Sequence, residues 1–137
     1  MKILYDNKSG CITTCLKTKG HSNIVHLDHM SVVNVISHNG NKYVLNGGET
    51  YNIDARYSLT TGEYKLTNIP SNHPLAITDT NNMISYTGDA DKKMDMNNIS
   101  YYHGDITIKV MGNFNTASIK CYYHGYMGGE NVLVYSS

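Results

Sequence analysis

The chain has no excess charge of either sign, no long apolar run and a single arginine. Each shortage removes a class of function. Lys and Arg together number 11, as do Asp and Glu, so nothing in the charge points to nucleic acid or to an anionic membrane surface. No apolar stretch approaches the roughly eighteen residues that span a bilayer. Within Met1–Gly10 the only apolar run is Ile3-Leu4-Tyr5, too short for a secretory leader, and the expectation is a soluble, cytosolic product. G-x-S-x-G, the P-loop and G-x-G-x-x-G are all missing, which leaves metal-free catalysis without a candidate. No window repeats with a helical period, and no linker or internal repeat interrupts the 137 residues. Residues 1–137 therefore read as one domain, large enough to bury a core without staples, with 1–40 the hardest part to type.

Cysteine is scarce and odd in number. Three cysteines exclude a complete disulfide framework. In an extended strand Cys11 and Cys15 would lie roughly 13 Å apart, too far to bridge. A disulfide there requires a turn or helical geometry; the alternative is two unlinked thiols in a reducing compartment. The abundant residues are Asn (16), Tyr (12) and Lys (10), set against four Ala. That bias suits an AT-rich coding genome, as many large viruses have.

Short β-prone runs separated by Gly and Asn turns make up the chain. They are Cys11–Leu16, Ile24–Asp28, Val32–Ile36, Lys42–Leu45, Tyr51–Tyr57, Tyr64–Thr67, His73–Ile77, Met83–Tyr86, Asp105–Val110, Ala117–Tyr123 and Asn131–Tyr135. Asn39-Gly40 signals a hairpin. In Tyr51–Tyr57 the alternation puts Tyr51, Ile53, Ala55 and Tyr57 inward, and residues 88–98 read as a polar loop. The pattern predicts an all-β, antiparallel Greek-key β-sandwich.

One stretch carries chemistry. Lys120-Cys121-Tyr122-Tyr123-His124-Gly125-Tyr126-Met127-Gly128-Gly129 sets a thiol, an imidazole and a thioether at C-x2-H-x2-M spacing between two period-2 runs. Ala117, Ile119, Cys121 and Tyr123 share one face of the first run, so Cys121 should point inward at a strand end with His124 and Met127 on the turn beyond. With one more histidine these donors make the ligand set of a mononuclear blue-copper site. His73 suits that place, on one face with Leu75 and Ile77; without the other three residues it would read as a histidine meeting solvent at a strand start. Gly125, Gly128 and Gly129 permit a tight loop.

The C-x2-H-x2-M loop between the last two strands resembles the metal loop of the cupredoxins in its shortest, amicyanin-like form. CYYHGYMGG with the upstream NHPLAI looks more like the small cupredoxin-like proteins of giant DNA viruses and related domains of phage structural proteins. The likeness covers about Tyr43 to Ser137. It implies a single copper ion, Cu(I) or Cu(II), held by Cys121, His73 and His124 with Met127 axial, and one-electron exchange with a redox partner protein rather than substrate turnover. Two other roles travel with the resemblance: a virion structural or interaction module contacting other virion components, and copper storage or buffering. In familiar cupredoxins an Asn follows the upstream histidine and ties its strand to the cysteine loop. Here Pro74 follows and Asn72 precedes, and Pro74 has no N–H to donate, so that support must be arranged differently. His-x-His pairs are missing, which removes the trinuclear cluster of multicopper oxidases, and a lone loop cysteine removes the dinuclear centre of oxidase subunit two.

Other clusters are weaker. His26-x2-His29, with Asp28 between, has a ligand-like spacing but no third and fourth donor, and reads as a hydrophilic edge. Met94-Asp95-Met96 resembles a thioether pair for Cu(I), yet falls in the expected polar loop. His103 reads as a surface residue at a strand entrance. Tyr101, Tyr102, Tyr122, Tyr123 and Tyr126 make the region tyrosine-rich, as sheet residues or as a docking surface with apolar bodies and polar tips.

Overall fold

A computed structural model of the chain describes residues 23–137. The Cys11–Leu16 strand, the Cys11/Cys15 pair and the leader reading lie outside the described residues. Among the described residues there is no α-helix, and none is long and apolar enough to cross a membrane.

The strands are β1 (Ile24–His26), β2 (Met30–Val32), β3 (Asn34–Ser37), β4 (Asn41–Val44), β5 (Arg56–Leu59), β6 (Gly62–Ile69), β7 (Leu75–Thr78), β8 (Ile84–Gly88), β9 (Lys93–Met96), β10 (Ile99–Tyr102), β11 (Gly104–Val110), β12 (Thr116–Cys121) and β13 (Leu133–Tyr135). They form a seven-stranded sheet in the order β1-β5-β13-β12-β7-β10-β9, a four-stranded sheet β2-β6-β11-β8 and the hairpin β3-β4. Buried side chains from the first sheet (Leu59, Ile77, Ile119, Leu133) and from the second (Leu66, Ile106, Ile108) join one hydrophobic cluster. The all-β sandwich is thus the fold, as period-2 alternation predicts. Truncating a residue such as Ile119, fully enclosed in this core, costs about 2–5 kcal/mol.

The ladders are mixed. β1 and β13 both pair with β5 in parallel, and β2 pairs with β6 in parallel; the remaining pairs are antiparallel. Parallel neighbours need a crossover rather than a hairpin, and here successive strands repeatedly change sheets: β1 to β2, β5 to β6 and β6 to β7 each pass from one sheet to the other.

Three local expectations are corrected. Tyr51–Tyr57 is not one strand: residues 51–55 are irregular, β5 begins at Arg56, and Ile53 is 74% exposed. An Asx turn, with Asp54 N–H donating to Asn52 Oδ1, bends the chain there and outweighs the alternation. Residues 88–98 are not a loop. Asp89 caps a 3-10 turn, Ala90–Lys92, and β9 then pairs with β10 through Asn97 and Asn98. Both asparagines are left-handed (φ 53° and 65°), the geometry of a two-residue hairpin turn. Tyr123 does not point inward with Cys121; β12 ends at Cys121 and Tyr123 is 56% exposed.

The abundance of asparagine has a backbone explanation. Among the described residues eleven that are not glycine adopt positive φ; nine are asparagine and one is Asp79. Asn tolerates the left-handed region because its short amide bonds locally. The remaining one is Met127.

Candidate metal centre

β12 runs antiparallel to β7, with Cys121 opposite Leu75, and delivers the cysteine to the end of the sheet. The chain then reverses at once. Cys121 N–H donates to the Gly125 carbonyl (2.6 Å) and Gly125 N–H returns to the Cys121 carbonyl (3.1 Å). This closed turn needs a left-handed residue, and Gly125 supplies it at φ 75°. Beyond it the loop folds back on β12, where Ile119 N–H donates to the Gly129 carbonyl (2.9 Å). Gly129 is close-packed there: a Cβ would collide with the Ile119 carbonyl oxygen.

His73 precedes β7 in the crossover from the four-stranded sheet. Pro74 fixes the local backbone, and its carbonyl accepts from Tyr122 N–H at 3.0 Å, which ties the His73 segment to the cysteine loop. The imidazoles of His73 and His124 both reach the thiol. Nδ1 of each lies 3.7 Å from Cys121 Sγ, and the three candidate ligand atoms all fall within 4.8 Å of one another. The two rings are 5.1 Å apart between centroids. Met127 lies near these three, with its side chain buried in the same cluster as Cys121.

The geometry can be tested against a metal. Metal–sulfur and metal–nitrogen bonds of about 2.3 and 2.0 Å, at angles between tetrahedral and trigonal, separate S from N by roughly 3.5–3.7 Å. Both observed S···N separations are 3.7 Å, so the donors fit around one ion. Cys121 is 1% and His73 6% exposed, whereas His124 is exposed. Burial, and secondly the neighbouring His124, lower the pKa of His73 below its ordinary value, which keeps it neutral, the form that binds metal. Met127 holds φ 47°, an unfavourable conformation for an unbranched side chain of this length, and such outliers cluster at functional sites.

Tyr43 was not singled out by sequence. Its hydroxyl donates to the His73 carbonyl at 2.7 Å and lies 3.4 Å from the Pro74 carbonyl, while its own N–H donates to the Met127 carbonyl at 3.0 Å. Burial first, then the adjacent Cys121, push its phenol pKa up, so it stays a neutral donor. These bonds add to the tie that the Pro74 carbonyl makes with Tyr122. No local signal marks Tyr43, because its partners lie in distant segments.

The remaining candidates separate. His26 Nδ1 sits 3.3 Å from Ser58 Oγ and His29 stacks on Tyr64; among the described residues the one His/Cys/Asp/Glu group with metal-like spacing is His73, Cys121 and His124. Met94 and Met96 lie on β9, with Met94 Sδ 3.8 Å from Tyr123 Oη. His103 is half-buried and donates its backbone N–H to the Lys92 carbonyl. The tyrosines form an edge-to-face run, with Tyr101 to Tyr122 at 5.4 Å and Tyr122 to Tyr123 at 4.9 Å. Comparison with protein-family models, with curated proteins and with solved structures returned no match.

Proposed function

We propose that His73, Cys121, His124 and Met127 hold one copper ion in a type 1 site, and that the protein carries single electrons. The carrying observation is the convergence of two Nδ1 atoms, each 3.7 Å from a buried cysteine sulfur, at the end of a rigid sheet. Copper would supply the one-electron couple. The chain supplies a soft thiolate, two imidazoles and a weak thioether, a donor set suited to copper in both oxidation states. Burial of Cys121 and His73 shuts bulk water away from the inner side, and the exposed His124 leaves one ligand edge at the surface. Support also comes from the loop pattern, which resembles that of the cupredoxins.

Addition of Cu(II) to the purified protein tests this. An intense thiolate-to-copper charge-transfer band in the visible is expected, and its loss in Cys121→Ser. A colourless protein holding Cu(II) through nitrogen and oxygen alone would overturn the reading and leave the sandwich as a structural module.

A further inference from the structure

We propose that Tyr43 is the positioning residue of this centre, and that hairpin β3-β4 is a latch holding the His73 and Met127 segments in register. The proposal rests on the copper reading above. Hairpin β3-β4 pairs with neither larger sheet, so its strands are not needed to complete either ladder. Tyr43, in β4, is nevertheless 5% exposed and reaches both ligand-bearing segments. Its hydroxyl donates to the carbonyl of His73, and its amide donates to the carbonyl of Met127.

The two donors belong to one residue, joined through a planar ring and only two rotatable bonds, and burial limits those. The His73 and Met127 backbones are therefore spaced by the length of a tyrosine side chain, not by a flexible contact. Each bond acts on the peptide unit from which a ligand side chain hangs, so its loss moves a donor atom without removing it. At Met127 the bonded carbonyl belongs to the left-handed residue, and the Tyr43 amide helps to hold that conformation against its cost. On the adjoining residue, a Cβ at Gly128 would sit 3.0 Å from Tyr51 and 3.1 Å from Lys42, so the hairpin and its flank press directly on the loop.

The test is Tyr43→Phe, which keeps the ring and the amide and removes the hydroxyl, beside Tyr64→Phe. Tyr64, on β6, is a buried tyrosine whose hydroxyl accepts from Thr60 N–H, away from the hairpin, and it serves as a control for the general cost of losing a buried phenol. Three quantities are measured on both variants and wild type: the thermal midpoint, Cu(I) affinity by competition with a chromophoric chelator, and alkylation of Cys121 in metal-free protein, resolved by peptide mass spectrometry. Tyr43→Phe should weaken Cu(I) about ten- to hundredfold and speed Cys121 alkylation about tenfold through local opening. Tyr64→Phe should lower the midpoint comparably and change neither. Equal behaviour of the two variants, or unchanged alkylation in Tyr43→Phe, overturns the latch. Wild type that binds no copper sinks the functional reading instead, and the alkylation ratio then decides the latch alone.

Discussion

Two regions of this molecule carry the same sequence spacing and different structures. Cys121-x2-His124 and His26-x2-His29 each set potential ligands three residues apart. In the first, the closed turn from Cys121 to Gly125 brings Sγ and Nδ1 to 3.7 Å. In the second, the chain is extended and changes sheets between the two histidines. His26 ends β1 beside Ser58 of one sheet, while the carbonyl of His29 accepts from Lys65 of the other. Three residues of extended chain span roughly 10 Å, whereas a tight turn holds its ends within about 7 Å. Spacing therefore becomes a site only when the backbone between the residues reverses.

The contrast can be broken most sharply at His73. Removing it in His73→Ala should abolish the native copper spectrum, with added imidazole restoring it, since the buried Cys121 and the turn remain in place. Unchanged copper behaviour would move the upstream ligand elsewhere, to His103 or His38.

Acid should produce a milder version of the same loss. The folded pKa of His73 lies below its unfolded value, so in that interval the unfolded chain binds more protons and stability rises with pH. The contribution is complete above about 6.5 and is lost as pH falls from there through the folded pKa. Metal-free protein should therefore lose thermal midpoint on acidification across this window, and His73→Phe should flatten the slope. An identical slope in the variant would assign the acid sensitivity to other groups.

The turn itself is tested by Gly125→Ala. A Cβ at this position meets nothing within 4 Å, and only φ 75° resists it. The expected loss is about 1–2 kcal/mol, with copper affinity falling alongside; a neutral substitution would mean that the reversal does not depend on glycine. Met127→Leu is smaller still. It should leave the visible band in place and shift the reduction potential upward, because removing a weak donor favours Cu(I). Voltammetry showing no shift would remove Met127 from the ligand set.

The smallest effect is expected at the other region. The double variant His26→Ala/His29→Ala should keep copper stoichiometry and colour. Loss of the His29–Tyr64 stack (4.6 Å between centroids) should cost less than about 1 kcal/mol. A change in copper stoichiometry would make that edge a second site.

The all-β class and the candidate metal loop were legible in the sequence because both are local. Alternation along β12 reports which side chains face the core, so Ala117, Ile119 and Cys121 could be placed inward from their spacing. Asn39-Gly40 signalled its hairpin for the same reason, and Asn97-Asn98, left-handed at both residues, carried a weaker form of that signal. Tertiary structure alone decided the rest. It ended β12 at Cys121 and turned Tyr123 outward, exposed His124, paired β1, β2 and β13 in parallel, and set Tyr43 between His73 and Met127. These depend on contacts between segments remote in the chain, 30 residues apart for Tyr43 and His73. Hydrogen bonds of that kind impose no periodicity on the sequence, because each is satisfied by a single residue wherever the fold happens to bring it.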